Sequence, residues 1–357
     1  MKTPSFDFRV INLKKNFIFA LFLITLILIS GCKGKDVKKS IENIRVGTEG
    51  IVASFVANNP PPTIHVEEGA DNSFKVVLQL NNKGAYPQPD EGQNGLAPEF
   101  GKLYLSGYDT KIIELKEKES GVAYSDLTKK TLEGKSTINP NGGIDFVNFE
   151  GKIDANNLNV EKYEPTLLVT SCYKYNTIAS PQVCIDPDPY STISTKKVCS
   201  VNDISLSNQG APIAVTKIEE EALATKTQFR ITVKNVGGGD VIKEASTEKC
   251  DPFGSSKIDR EDIDKVLLEE ATIGKKQLDC GPFAEGNVQD TKGFVRLING
   301  EGSIICKLNK DDYGQTNSAY TSPLKVQLSY IYKTTTDRKI TIKKEKGGLG
   351  GGSGVSN

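Results

Sequence analysis

From about residue 47 onward, apolar and polar residues alternate in short runs broken by Gly, Pro, Asn and Asp. FKVVLQLNNKG sets Phe74, Val76, Leu78 and Leu80 on one face, and QFRITVKNVGGG does the same with Phe229, Ile231 and Val233. A period of two marks a half-buried strand, because successive side chains leave opposite faces of the sheet. Further strands are predicted at GIVASFVA, GKLYLSGY, KIIELKE, DFVNFEGKI, PTLLVTSCYKY, GFVRLI, GSIICKL and PLKVQLSYIY. Helical periodicity is scarce. DREDIDKVLLEEA, residues 259–271, is the best helix candidate, with a strand behind an acidic lead-in as its alternative.

Several stretches recur in order at nearly one spacing. Asn82-Lys83-Gly84 matches Asn235-Val236-Gly237, Glu150-Gly151-Lys152-Ile153 matches Glu301-Gly302-Ser303-Ile304, and Tyr173-Lys174-Tyr175 matches Tyr330-Ile331-Tyr332. Leu167 and Val169 line up with Leu324 and Val326. Three such matches predict a duplicated unit. Each Asn-x-Gly is expected to reverse the chain tightly at a strand end, since Gly reaches positive φ cheaply and Asn tolerates it. Many short strands per unit point to antiparallel β-sandwiches. The expected organisation is two tandem immunoglobulin-like sandwich domains, 47–187 and 197–343, with a linker at 188–196 and a Gly-rich tail at 344–357.

The N-terminus is of a different kind. Lys14 and Lys15 precede an apolar run of 13 residues from Phe17 to Ile29, followed by Ser30 and Gly31. That order reads as a signal peptide, and the run is short of the ~20 residues that span a bilayer. Ile29-Ser30-Gly31-Cys32 resembles the lipobox of lipoprotein signal peptides, which implies cleavage before Cys32 and a lipid on its thiol. An uncleaved signal anchor is the alternative. Residues 32–46 form a basic tether with Lys33, Lys35, Lys38, Lys39 and Arg45. Such a segment favours anionic headgroups or serves as a solvated spacer.

Export changes the reading of the other cysteines. Cys172, Cys184, Cys199, Cys250, Cys280 and Cys306 are an even set in a chain with one histidine and no C-x-x-C pair. Three disulfides are therefore expected rather than a metal site. Cys172 and Cys184 are predicted to pair across a hairpin turning at NTIASP, and an even cysteine count in each half supports the proposed linker.

Candidate chemistry is sparse. The formal charge is zero, and removing residues 1–31 leaves about −3, which argues against a nucleic-acid partner. The lone His65, in TIHVEE on a predicted strand, is a poor catalytic base with no partner signature. Asp186 and Asp188 in CIDPDPYST are a weak Ca²⁺ candidate, or else solvated acids of the linker. Tyr173, Tyr175, Tyr330 and Tyr332 are expected in cross-strand packing, with an exposed aromatic ridge as the alternative. No cofactor is called for, and the chain reads as non-enzymatic.

FRITVKNVGGGDV and FKVVLQLNNKGAY resemble the strand-turn motif of immunoglobulin-like modules of prokaryotic surface proteins, especially CARDB-type adhesion modules. The order of lipobox, VGTEGIVASFVANNPPP and two units also resembles archaeal surface lipoproteins. The resemblance implies an adhesion or envelope-scaffold module held at the membrane by its N-terminal lipid, with a protein partner or self-association at the surface. Two alternatives stand beside it: a filament subunit donating GIVASFVA to a neighbour's sheet, and an extracytoplasmic solute-binding lipoprotein.

Overall fold

A computed structural model describes residues 44–88, 96–115, 118–119, 122–191, 197–285, 291–313 and 318–345. The signal segment, Cys32, the tether before residue 44, residues 192–196 of the linker and the tail beyond residue 345 lie outside the described residues. Every strand predicted from alternation forms, and the described chain is an all-β assembly of sheets that are antiparallel except for one parallel pairing, Thr63–Val66 with Thr341–Lys344. Strands are numbered in chain order.

A four-stranded sheet runs β1 (Ile51–Phe55), β3 (Ser73–Asn82), β8 (Ile144–Ile153), β5 (Ile113–Leu115). A five-stranded sheet runs β12 (Ile204–Ser205), β13 (Ile213–Ala222), β14 (Lys226–Asn235), β20 (Glu301–Asn309), β18 (Asp279–Gly281). Both pack on a ten-stranded central sheet. Its main path is β17 (Lys276–Gln277), β16 (Lys265–Ile273), β21 (Tyr320–Lys339), β10 (Thr166–Ala179), β4 (Gly101–Ser106), β7 (Val122–Asp126), β6 (Lys118–Glu119). In the same sheet, β11 (Gln182–Ile185) and β15 (Asp240–Ile242) pair with β21, and β19 (Gly293–Arg296) pairs with β16. A small sheet joins β2 (Thr63–Val66), β22 (Thr341–Lys344) and β9 (Lys162–Tyr163).

The alternation explains the layers. Phe74, Val76, Leu78 and Leu80 of β3, and Phe229, Ile231 and Val233 of β14, are buried in one apolar core that continues through both halves. DREDIDKVLLEEA is no helix. Asp264 stands at φ 59°, and β16 begins at Lys265 to bury Val266, Leu268 and Ala271. Its apolar residues thus follow a strand pattern behind an acidic turn.

The duplication is real in space. β1, β3 and β8 correspond to β13, β14 and β20, with Asn82 N–H bonding Gly143 C=O as Asn235 N–H bonds Gly300 C=O. That correspondence makes Ile144 the equivalent of Glu301. The match of Glu150-Gly151 to Glu301-Gly302 is therefore a coincidence of letters, since Gly151 opposes Phe74 near one strand end and Gly302 opposes Val233 at the other.

The halves 47–187 and 197–343 are not separate domains. β10 and β21 pair antiparallel from Thr166↔Lys339 to Ala179↔Val326, and residues 43–357 form one compact unit. β22, from the C-terminal half, lies between β2 and β9 of the N-terminal half. The parity of cysteines misled the division, because two of the three disulfides, Cys172–Cys250 and Cys184–Cys199, cross it, and the third is Cys280–Cys306. Cys172 does not pair with Cys184. No hairpin forms, because β11 continues the line of β10 along the same partner, with Gln182↔Pro323 following Ala179↔Val326. Twelve residues of extended chain separate the two cysteines by roughly 40 Å, far beyond disulfide reach.

Candidate functional site at the junction of the repeats

β10 and β21 meet about a pseudo-two-fold axis. Repeat equivalence relates Tyr173 to Tyr330 and Tyr175 to Tyr332, while the register pairs Tyr173 with Tyr332 and Tyr175 with Tyr330. All four rings therefore share one face, where they are buried and touch edge-on or tilted with centroids 5.7–6.4 Å apart. They are core, as cross-strand packing predicted. Burial holds the Tyr173, Tyr175 and Tyr330 hydroxyls well above the ordinary phenol range, so they stay protonated donors. Lys174 and Ile331 sit between them in register. On the opposite face Cys172 and Ile331 pack with Tyr104, Ile242 and Cys250, and the 172–250 disulfide ties the 3-10 turn Glu244–Cys250 there.

Each repeat supplies an asparagine hub to this plane. Asn82 Oδ1 accepts from the Tyr175 hydroxyl (3.0 Å) and from Gly84 N–H (3.1 Å), and its Nδ2 donates to the carbonyls of Tyr86 and Leu132, both at 2.7 Å. The Tyr175 hydroxyl in turn accepts from Tyr86 N–H (3.1 Å). Asn235 repeats this pattern. Its Oδ1 accepts from the Tyr332 hydroxyl (3.2 Å) and Gly237 N–H (3.2 Å), its Nδ2 donates to Gly239 C=O (2.9 Å), and Gly239 N–H donates to the Tyr332 hydroxyl (2.7 Å).

The glycines of Asn-x-Gly serve another purpose than the one expected. Neither Gly84 nor Gly237 is among the residues of positive φ. A Cβ on Gly84 would stand 2.0 Å from the Tyr175 hydroxyl, and one on Gly237 would stand 2.3 Å from that of Tyr332. The motif is a tyrosine socket, and the two Tyr-x-Tyr matches are its plugs.

The two copies differ at their outer edge. In repeat 2 the edge of β13 is closed: Thr177 Oγ1 donates to Ile213 C=O (2.6 Å), the Gln209 side chain takes both Val215 N–H (2.9 Å) and Val215 C=O (3.0 Å), and Leu206 N–H donates to Thr216 C=O (2.9 Å). In repeat 1, Gly50 and Val56 bond β3, so alternation turns Ile51 C=O and both polar groups of Ala53 to the other side. Among the described residues no strand pairs there, and none of repeat 2's three closures has a counterpart. Thr334, the equivalent of Thr177, bonds Ser171 Oγ instead (2.6 Å). Gln209 corresponds through the register to Gly47, which carries no side chain to take its place. The junction shows the same asymmetry, since Ala85 N–H donates to Gly210 C=O (2.6 Å), whereas Gly238, the equivalent of Ala85, has open space where a Cβ would stand.

That open edge lines a cleft of about 250 Å³ between β1, β10 and β21, bordered by Glu49, Ser171, Gly238, Tyr332 and Thr334–Thr336. Its far end is stopped by Arg338, which donates to the carbonyls of Phe55 (3.2 Å) and Val56 (2.9 Å) and lies over the Phe55 ring.

The remaining sequence candidates lie elsewhere. His65 is exposed on β2, with Nδ1 against Glu345. Asp186 gives one oxygen to Asp188 N–H (3.0 Å) and the other to Lys197 Nζ (2.7 Å), which also donates to Asp188 C=O (2.8 Å). An ammonium thus stands where a calcium ion was considered, and no cluster of three metal-ligating side chains occurs among the described residues. The sequence reading missed Glu220. It is buried at the end of β13, accepts from Cys184 N–H (3.2 Å) through Oε2, leaves Oε1 without a partner, and is pushed up by burial to about 7. A signal was present, since Glu220 follows Ile218 at the spacing of the buried face. Lys265, also missed, is buried between Glu261 and Glu285.

No protein-family model matches the sequence, and a search of curated proteins gives no match. Among solved structures, the Fcho1 mu homology domain of Danio rerio with bound Eps15 peptide aligns over 85% of this chain and 97% of its own, at 10% identity and a TM-score of 0.15. The CupB6 tip adhesin from Pseudomonas aeruginosa aligns over 83% and 98%, at 9% identity and a TM-score of 0.14. Likenesses at such scores carry no argument about fold or function.

Proposed function

We propose that this chain is a non-enzymatic extracytoplasmic lipoprotein, anchored through Cys32, that presents an interlocked double β-sandwich as an adhesion or envelope-scaffold module. The observation that carries this reading is the mechanical coupling of the repeats. A continuous β10–β21 ribbon, the crossing disulfides Cys172–Cys250 and Cys184–Cys199, and the inserted strand β22 make one rigid body from two sandwiches. Rigidity of that kind suits a part that holds position and transmits load, since a domain pair that must open for catalysis or capture needs a weak interface. Three intramolecular disulfides also fit an oxidising compartment outside the cytoplasm. The cleft beside β1, at about 250 Å³, is smaller than the ~300–1,000 Å³ usual for small-molecule sites.

Chemical cross-linking on intact cells tests the proposal. Links to other envelope proteins are expected, and recovery of an uncrosslinked monomer that retains a small molecule would overturn it. The anchor is tested by the mass of the mature N-terminus, where loss of residues 1–31 and a lipid adduct on Cys32 are expected.

A further inference from the structure

We propose that the outer face of the β1–β3–β8 sheet, together with the adjoining turn that carries Ile138, rests on the surface of the bilayer to which Cys32 is anchored. The duplicated sheet provides the comparison. On the outer face of β13–β14–β20, Lys217 pairs with Glu219 (2.7 Å), Arg230 with Glu219 (3.2 Å) and Lys234 with Glu301 (3.4 Å). Register sets Ser54, Val56, Val77, Asn81 and Ile144 at those five positions of repeat 1, and Phe146 where repeat 2 has Ser303. None of the five charges is kept, and Ile144 and Phe146 are each 48% exposed. Apolar side chains grouped on a face that its duplicate keeps charged mark a contact surface.

Just before β8 the chain builds a fixed apolar tip. Ile138, 90% exposed, lies in a turn closed by Ser136 N–H on Asn139 C=O (3.0 Å) and by Asn139 N–H on Ser136 Oγ (3.0 Å), and Gly142 N–H donates to Asn139 C=O (3.2 Å). Lys130 Nζ, 3.8 Å from Asp145, donates to Phe146 C=O (2.9 Å), and Lys135 Nζ donates to Val46 C=O (3.3 Å). These ammonium groups are placed to meet anionic headgroups around an inserted apolar surface. Two facts select a lipid surface over a protein. The face is small: three strands ~4.8 Å apart with three outward rows ~7 Å apart give about 300 Å², against ~800 Å² from each partner in a stable protein interface. The chain also enters the body here, since Val46 lies 14 residues from Cys32. That leash reaches at most about 50 Å and holds the face at roughly millimolar effective concentration, so a weak contact suffices.

The contact rests on the reading of Cys32 as the anchor, and the two fail separately, because the mass at Cys32 reports the anchor and a fluorophore reports the contact. The chain has no tryptophan, so a single one can be introduced as the probe. Mature full-length chain carrying Ile138→Trp or Phe146→Trp is reconstituted in phosphatidylcholine and phosphatidylglycerol vesicles, with and without brominated acyl chains. Bromine is expected to quench either tryptophan about twofold. It is expected to leave Phe253→Trp unchanged, since Phe253 follows Cys250, which packs on the opposite face of the central sheet. Ile144→Glu with Phe146→Ser installs the residues of repeat 2 on the same frame, and in the Ile138→Trp chain should reduce the quenching about twofold. An unquenched tryptophan at position 138 or 146, or equal quenching at position 253, overturns the proposal whether or not Cys32 carries lipid. Self-association that the double substitution abolishes, without quenching, assigns the face to a second copy and overturns it as well. Quenching in a chain that lacks lipid on Cys32 supports the contact and overturns the anchor alone.

Discussion

The two asparagine hubs are built from one pattern, yet one is sealed and the other borders a cleft. Around Asn82 four hydrogen bonds converge on a fully buried amide, and Ala85 closes the contact to Gly210. Around Asn235 there are three, the residue is half-buried, and Gly238 leaves the contact to repeat 1 open. Duplication supplies the frame, and loss of a few edge contacts in one copy is enough to turn structural surface into accessible surface. Among the described residues the same contrast leaves β1 uncovered where β12 pairs with β13.

The largest contrast is expected at the hubs themselves. Asn82→Ala strands four partners in a dry site and should cost about 4 kcal/mol, against about 2 kcal/mol for Asn235→Ala, read from denaturant midpoints at unchanged slope. Equal costs would mean that the hubs are equivalent despite their burial. Next come the sockets. Gly84→Ala and Gly237→Ala should each cost about 3 kcal/mol by forcing a methyl onto a tyrosine hydroxyl, while Gly238→Ala should stay within about 0.5 kcal/mol, because its counterpart Ala85 already carries that methyl. Thermal melts of the three variants check this.

Smaller effects separate the tyrosine plugs. Tyr175→Phe removes the acceptor for Tyr86 N–H and a donor to Asn82 in a fully buried setting and should cost about 2 kcal/mol, with about 1 kcal/mol for Tyr332→Phe. The last contrast lies in pH. β13 extends to Ala222 whereas β1 ends at Phe55, so Glu220 has no strand counterpart in repeat 1. Its acidity is weakened on folding, with a value of about 7 in the native state, so the folded protein holds the proton more tightly than the unfolded chain. That contribution is fully present below the ordinary carboxylate range and is lost as pH rises through about 7. Hydrogen exchange should therefore show β13 and β11 loosening between pH 5 and pH 8 while β1 and β3 hold steady, and Glu220→Gln should flatten the response.

How much of this was legible before folding varies by element. The strands were readable because Phe74-x-Val76-x-Leu78-x-Leu80 and its relatives must bury one face whatever they pack against. The repeat was readable from Asn-x-Gly and Tyr-x-Tyr, although their joint role as socket and plug was not, since the partners lie about 90 residues apart in sequence. The cleft beside β1 left no local trace. It exists because Thr334 bonds Ser171 where Thr177 bonds the neighbouring edge, a choice between two nearby partners that spacing does not encode.

By itself the sequence determined the all-β class, the positions of the strands, the duplication and the presence of six cysteines able to pair. Each of these follows from side-chain period or composition, which act locally. Tertiary structure alone decided that the repeats share one sheet, that Cys172 reaches Cys250 rather than Cys184, and that a cleft lies between β1, β10 and β21. Those outcomes depend on which strand of one repeat finds which strand of the other, and backbone hydrogen bonds, being the same for every residue, carry no sequence label for that choice.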